Sequence, residues 1–219
     1  MQLEGGLNFR EVSKLPTENG STIAPGRLFR SDTLQFLTQQ DVDFLVATIG
    51  ISTIIDLRLP YEVETEGFGF PGSSIPDHHH LPFRVDGTDV TNDATPILQA
   101  KDPMVPHYLG YLRTMPTSVT QIVRVLGATG GVPAVIHCAA GKDRTGVAVA
   151  VVLSAVGVPD DVIAEEYARN AGKLLYIQVC TDRCATIWPL ETTNSWLKDM
   201  RFQKLDESLS TDRAAPFTE

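Results

Sequence analysis

Val132-Pro133-Ala134-Val135-Ile136-His137-Cys138-Ala139-Ala140-Gly141-Lys142-Asp143-Arg144-Thr145-Gly146 passes from a β-branched apolar run, through a small-residue loop, into a helix. The apolar run reads as a strand entering after the Gly130-Gly131 stop. The helix, Arg144 to Val156, is apolar on nearly every side and predicts burial all round. Within the longest apolar stretch, Val147 to Val158, Ser154 and Gly157 interrupt the run, which is too short for a membrane span. A strand, a tight loop and a buried helix in direct succession indicate a helix-flanked parallel sheet, whose ligand site lies beyond the carboxyl ends of its strands.

The flanking sequence supports this class. Thr38, followed three residues later by Asp41 and stopped by Gly50, predicts an amphipathic helix over 38–49. Ile51 to Leu57 reads as a buried strand. Pro60 opens a short acidic helix ending near Gly67. His78 to Phe83 reads as a further strand, with Pro82 near its end. Residues 107–128 are helical, broken at Pro116, and a last helix runs from Pro159 to about Ala171. Residues 84–106 are polar and turn-rich, long for a connection, and suit a functional loop or a lid. The expectation is an α/β fold, a mostly parallel central sheet flanked by helices, forming one domain over 1–205. The polar tail 206–219 falls outside it as a disordered segment.

Each residue type in the Cys138 loop has a physical use. A sharp turn from strand to helix aims successive backbone N–H groups inward, a nest for a tetrahedral oxyanion. The helix amino terminus adds its positive dipole end. Gly141 allows backbone that a side chain obstructs. Arg144 offers a planar fork for two phosphate oxygens. A thiol at a helix amino terminus beside a guanidinium is favoured as the thiolate, so Cys138 reads as a nucleophile that forms a phosphocysteine. Ala139, Ala140, Gly141, Lys142, Asp143 and Arg144 read as the phosphate cradle. His137 holds the loop through a ring N–H, and Thr145 donates a hydrogen bond to the sulfur. A nucleotide P-loop is excluded, because no glycine stands five residues before Gly141 and Lys142 is followed by Asp143.

Residues 137–146 resemble the protein-tyrosine phosphatase superfamily, and within it the bacterial tyrosine/serine phosphatase group, whose loop reads His-Cys-x-x-Gly-Lys-Asp-Arg-Thr-Gly. Asn8-Phe9-Arg10-Glu11-Val12, Pro25-Gly26-Arg27-Leu28-Phe29-Arg30-Ser31, Ile55-Asp56-Leu57-Arg58 and Leu81-Pro82-Phe83 are similar to further segments of that group, in the same order. The resemblance spans residues 5–172 and fades after Gly172. It implies a phosphatase with Cys138 as nucleophile and Arg144 as transition-state clamp. The general acid is implied just after the Leu-Pro-Phe segment, at Asp86, with Asp89 and Asp143 as alternatives. Lys142 resembles a loop cation of relatives that hydrolyse phosphoinositides. The implied substrates are phosphotyrosine, then phosphoserine/threonine or phosphoinositides. The other reading is a phosphate-binding module made inactive by its divergent carboxyl end.

Composition bounds the rest. The chain has 219 residues and a formal net charge of -9, which argues against non-specific binding to nucleic acid or anionic membranes. The first six residues lack the basic and apolar regions of a signal peptide, so a cytoplasmic location is expected, without stable membrane insertion. Cys138, Cys180 and Cys184 form no disulfide framework. No cofactor is expected. His78-His79-His80 alternate faces of a strand, with no carboxylate or cysteine at ligand spacing, so no metal is expected either. Arg30, Asp56 and Arg58 read as structural support for the loop.

Overall fold

A computed structural model describes residues 3–69, 77–83 and 104–169. Among the described residues, five strands form one sheet: β1 (Arg10–Glu11), β2 (Leu28–Ser31), β3 (Thr53–Asp56), β4 (Asp77–His80) and β5 (Ala134–His137). Their spatial order is β1-β2-β5-β3-β4, with β1 antiparallel to β2 and the other pairings parallel. The α/β expectation holds. β5 lies between β2 and β3, all four of its residues are buried, and the Cys138 loop leaves from its carboxyl end.

Register places the functional ends together. Ser31 and Asp56 both pair with His137, and Asp56 pairs with His80. Side chains alternate along each strand, so the two faces of the sheet build two cores. On one face Leu28, Ile55, Ala134 and Ile136 join the apolar residues of α3 (Met104–Thr114), α4 (Pro116–Gly127), α5 (Asp143–Ala155) and α6 (Asp160–Ala168). On the other, Phe29, Ile54 and Val135 pack with Phe9, Leu34, Val42 and Leu45. Thr145 to Leu153 are all buried, as the all-apolar reading of this helix requires.

Local signals explain the element ends. Thr38 and Asp41 form the expected reciprocal cap on α1 (Gln39–Asp43), which continues into a wider π-helical turn, Phe44–Ile49. Gly50 ends it with φ 80°, a left-handed conformation suited to glycine. Asp41 also receives the Glu4 and Gly5 N–H groups, at 2.9 Å each, and so ties down the amino-terminal segment. Pro60 begins α2 (Pro60–Glu66). The expected strand His78 to Phe83 is shorter and earlier, Asp77–His80, although Leu81 N–H still donates to Asp56 O at 2.9 Å and Phe83 N–H to Leu57 O at 3.2 Å. The short strands β1 and β2 escaped the sequence reading because charged Arg10 and Arg30 occupy them. Asp86, Asp89, Cys180, Cys184 and the tail 206–219 lie outside the described residues.

Candidate active site

The loop begins where β5 ends. Cys138 is 2% exposed, and the Gly141 N–H donates to its Sγ at 3.3 Å. Gly141 has φ 67°, and a Cβ there would lie 2.4 Å from the Ser31 carbonyl oxygen, so conformation and space both demand glycine. The turn thus brings its own backbone N–H to the sulfur. Thr145, expected to donate to that sulfur, does not: its buried Oγ1 has no hydrogen-bond partner among the described residues.

The carbonyls of the loop are engaged one after another by groups outside it. His137 Nδ1 lies 3.3 Å from the Cys138 oxygen. Thr33 N–H donates to Ala139 O at 2.9 Å. Asn8 Nδ2 donates to Gly141 O at 3.1 Å and, more weakly, to Ala140 O at 3.4 Å. Arg30 Nη2 donates to Gly141 O at 2.9 Å and Lys142 O at 3.4 Å.

Arg30 in turn is anchored by Glu166 of α6, Nη1 to Oε2 at 2.7 Å, and both side chains are buried. Arg10 meets the same carboxylate at 2.9 Å. Burial, then the charge of Arg30, lower the Arg10 guanidinium to about 10 against the pull of Glu166. Asp56 takes a bidentate grip from Arg58, closest at 2.7 Å, with both side chains fully buried. The support role read for Arg30, Asp56 and Arg58 therefore divides between two clusters.

Arg144, the predicted clamp, projects from the first turn of α5. Its guanidinium forms a fork with Glu62 of α2, Nη1–Oε2 2.5 Å and Nη2–Oε1 2.9 Å. Burial works against the Arg144 charge, but the Glu62 hydrogen bonds and the nearby Cys138 sulfur outweigh it and hold the guanidinium charged. Glu62 was absent from the sequence reading, where it passed as part of an acidic helix. Its position three residues after Leu59, whose N–H it accepts at 2.6 Å, was the available signal for capping only.

Asp143 and Lys142 stand at the loop exit, with Nζ 3.8 Å from Oδ1. Asp143 Oδ1 also accepts the Tyr108 hydroxyl and, at 3.4 Å, that of Tyr167; the two hydroxyls lie 3.0 Å apart. Burial and the Asp143 charge raise both tyrosines well above the ordinary phenol range, so they remain donors. These tyrosines were also missed. Gly146 carries the trace of one, since a Cβ there would meet Tyr167 at 2.3 Å. Burial lowers His137 to about 4, aided by the Arg58 charge and opposed by Asp56, so the ring is neutral near pH 7.

A strand-end thiol, a backbone N–H directed at it and a forked arginine thus meet at the amino end of α5. The family model described as the tyrosine phosphatase family matches residues 1–182, and the chain belongs to that family and is a phosphatase. The match extends past Gly172, where the sequence resemblance was expected to fade. The chain is 33% identical over 196 residues to the triple specificity protein phosphatase PtpB of Mycobacterium tuberculosis, covering 77% of this chain and 68% of that one. It is 26% identical over 159 residues to a tyrosine-protein phosphatase of Nostoc commune, covering 73% of this chain and 53% of the relative. The core catalytic domain of the PP-IP phosphatase SIW14 from S. cerevisiae aligns with a TM-score of 0.40 at 18% identity, over 77% of this chain and 89% of that domain. Among the described residues, no helix is long and apolar enough to cross a membrane.

Proposed function

We propose that the protein hydrolyses phosphate monoesters through a phosphocysteine on Cys138, with phosphotyrosine as the principal substrate class. The observation that carries this reading is the Gly141 N–H aimed at Cys138 Sγ, at the amino end of α5. The thiolate attacks phosphorus while the bond to the ester oxygen breaks. Backbone N–H groups of 139–144 and the Arg144 fork take up charge on the three equatorial oxygens. A carboxylic acid gives its proton to the leaving oxygen. The resulting carboxylate then accepts a proton from water, which displaces the phosphate from sulfur.

Asp86 is the proposed acid. Asp89 and Asp143 are the alternatives, and Oδ1 of Asp143 is already engaged by the Tyr108 and Tyr167 hydroxyls. The relative named for triple specificity, together with Lys142 beside the cradle, supports a range that includes phosphoserine/threonine and phosphoinositides.

Purified protein is expected to hydrolyse an aryl phosphate, and Cys138→Ser to lose turnover while still binding inorganic phosphate. Turnover retained by Cys138→Ser refutes the nucleophile. Asp86→Asn should slow alkyl phosphates, whose leaving groups need the proton, far more than activated aryl esters. Equal slowing of both transfers the role away from Asp86.

A further inference from the structure

His137, Asp56 and His78 stand on three adjacent strands, β5, β3 and β4. Their donor atoms all lie within 4.8 Å of one another. His137 Nε2 lies 3.7 Å from Asp56 Oδ2, and His78 Nε2 lies 3.8 Å from the same oxygen. Both Nε2 atoms are buried without a hydrogen-bond partner among the described residues. Reading ligand spacing along the chain overlooked this group, because the sheet assembles it from residues 22 to 81 positions apart.

The tautomer of His137 is set from behind. Its Nδ1 faces the Cys138 carbonyl at 3.3 Å, so the proton belongs on Nδ1 and Nε2 presents a lone pair. That lone pair lies 3.7 Å from a carboxylate oxygen, acceptor against acceptor, in a side chain that is 0% exposed. Such an arrangement calls for a cation. A histidine whose other nitrogen donates to a backbone carbonyl is also the arrangement that orients metal-ligating imidazoles.

We propose that Asp56, His78 and His137 form a site for a divalent transition metal, zinc being the ion best matched to two imidazoles and a carboxylate. Arg58 occupies Asp56 Oδ1 and one side of Oδ2, and the remaining lone pair of Oδ2 faces the histidines. Bonds of roughly 2.0–2.1 Å require ligand atoms about 3.3 Å apart in a tetrahedron, so closure asks for shifts of about half an ångström between each imidazole and Asp56 and of up to about 1.5 Å between the two imidazoles. Water completes the coordination. The ion would touch the nucleophile only through His137 and the Cys138 carbonyl, which makes it a brace for the loop rather than a reactant.

The test uses the full chain with Cys138, Cys180 and Cys184 replaced by Ser, so that thiolates do not capture the probe. Zinc chloride titrated against a chromophoric chelator should show one ion per chain with sub-micromolar affinity. His78→Gln should weaken binding at least 30-fold, and His80→Gln, on the same strand but bonded to the Arg58 carbonyl at 2.8 Å, should leave it unchanged. X-ray absorption of the zinc-loaded, histidine-intact protein should show two imidazole ligands, independent of whether either variant folds. No binding at micromolar zinc, undiminished affinity in folded His78→Gln, or absorption without imidazole scattering each overturns the proposal.

Discussion

Glu62→Gln perturbs the clamp without removing it. Glu62 receives two bonds from Arg144 and the Leu59 N–H, three donors on two oxygens. Glutamine keeps one carbonyl oxygen and turns an amide NH2 toward a guanidinium NH2, so one arm of the fork is lost. A hydrogen bond between charged partners contributes about 1.5–3 kcal/mol, and both side chains are mostly buried, 16% and 12% exposed. A second effect opposes this one. Removing the carboxylate relieves repulsion of a phosphate dianion. That repulsion acts in the bound substrate and in the transition state alike, so its relief appears in KM. Lost orientation of the fork is felt where charge develops, so it appears in kcat. The expected outcome is kcat lower by ~10–100-fold, at 1.36 kcal/mol per tenfold, with KM and the inhibition constant of inorganic phosphate unchanged or lower. Steady-state kinetics on an aryl phosphate measure both, with circular dichroism verifying the fold. An unchanged kcat, or a fall matched by an equal rise in KM, refutes the positioning role of Glu62.

Gly141→Ala should abolish more than ~99% of activity and lower the melting temperature, since the added Cβ meets the Ser31 carbonyl and the φ of 67° resists a side chain; near-normal turnover would contradict the loop geometry. Glu166→Ala leaves Arg30 buried and unpaired and should cost about 3–5 kcal/mol in urea unfolding; a loss under ~1 kcal/mol would show that the loop is held by other means. Stability should also fall in acid. Burial raises the Glu62 carboxyl, but the Arg144 bonds and charge more than offset this, and its folded pKa lies below the ordinary 4.5. Its contribution is therefore present above 4.5 and is lost as pH falls through the folded value. Urea midpoints of wild type and Glu62→Gln should converge over that window, and a constant gap would count against the pair.

The sequence was legible where its signals are contiguous. Strand, Cys138, Gly141, Arg144 and the buried helix form one unbroken stretch, and each element is visible from composition or from a single special residue. The cap at Thr38–Asp41 and the break at Pro116 are equally local. What escaped is what the fold joins across distance. Glu62 meets Arg144 from 82 residues away, and Glu166 meets Arg30 from 136. Tyr108 and Tyr167 converge on Asp143 from opposite sides of it in sequence. A charged residue in a strand reads as exposed, yet Arg30 is wholly buried because its partner arrives from α6. β2 was hidden for that reason.

These long-range partners share one physical task. A peptide that offers its N–H to an anion must hold its carbonyl away from that anion, and a buried carbonyl without a donor is costly. The five carbonyls from Cys138 to Lys142 find donors in His137, Thr33, Asn8 and Arg30. Of these, only His137 belongs to the loop's own stretch of sequence. Asn8 and Arg30 come from the amino-terminal segments whose resemblance to the family otherwise has no chemical explanation, since neither supplies a reacting group, and Thr33 stands two residues beyond the second of them. Their donors let the same backbone turn N–H groups inward without leaving its oxygens unsatisfied. The nest at Cys138 is thus made as much by residues 8–33 as by the loop, and Arg30, bonded to two of those oxygens and to Glu166, is the point where sheet, loop and α6 are joined.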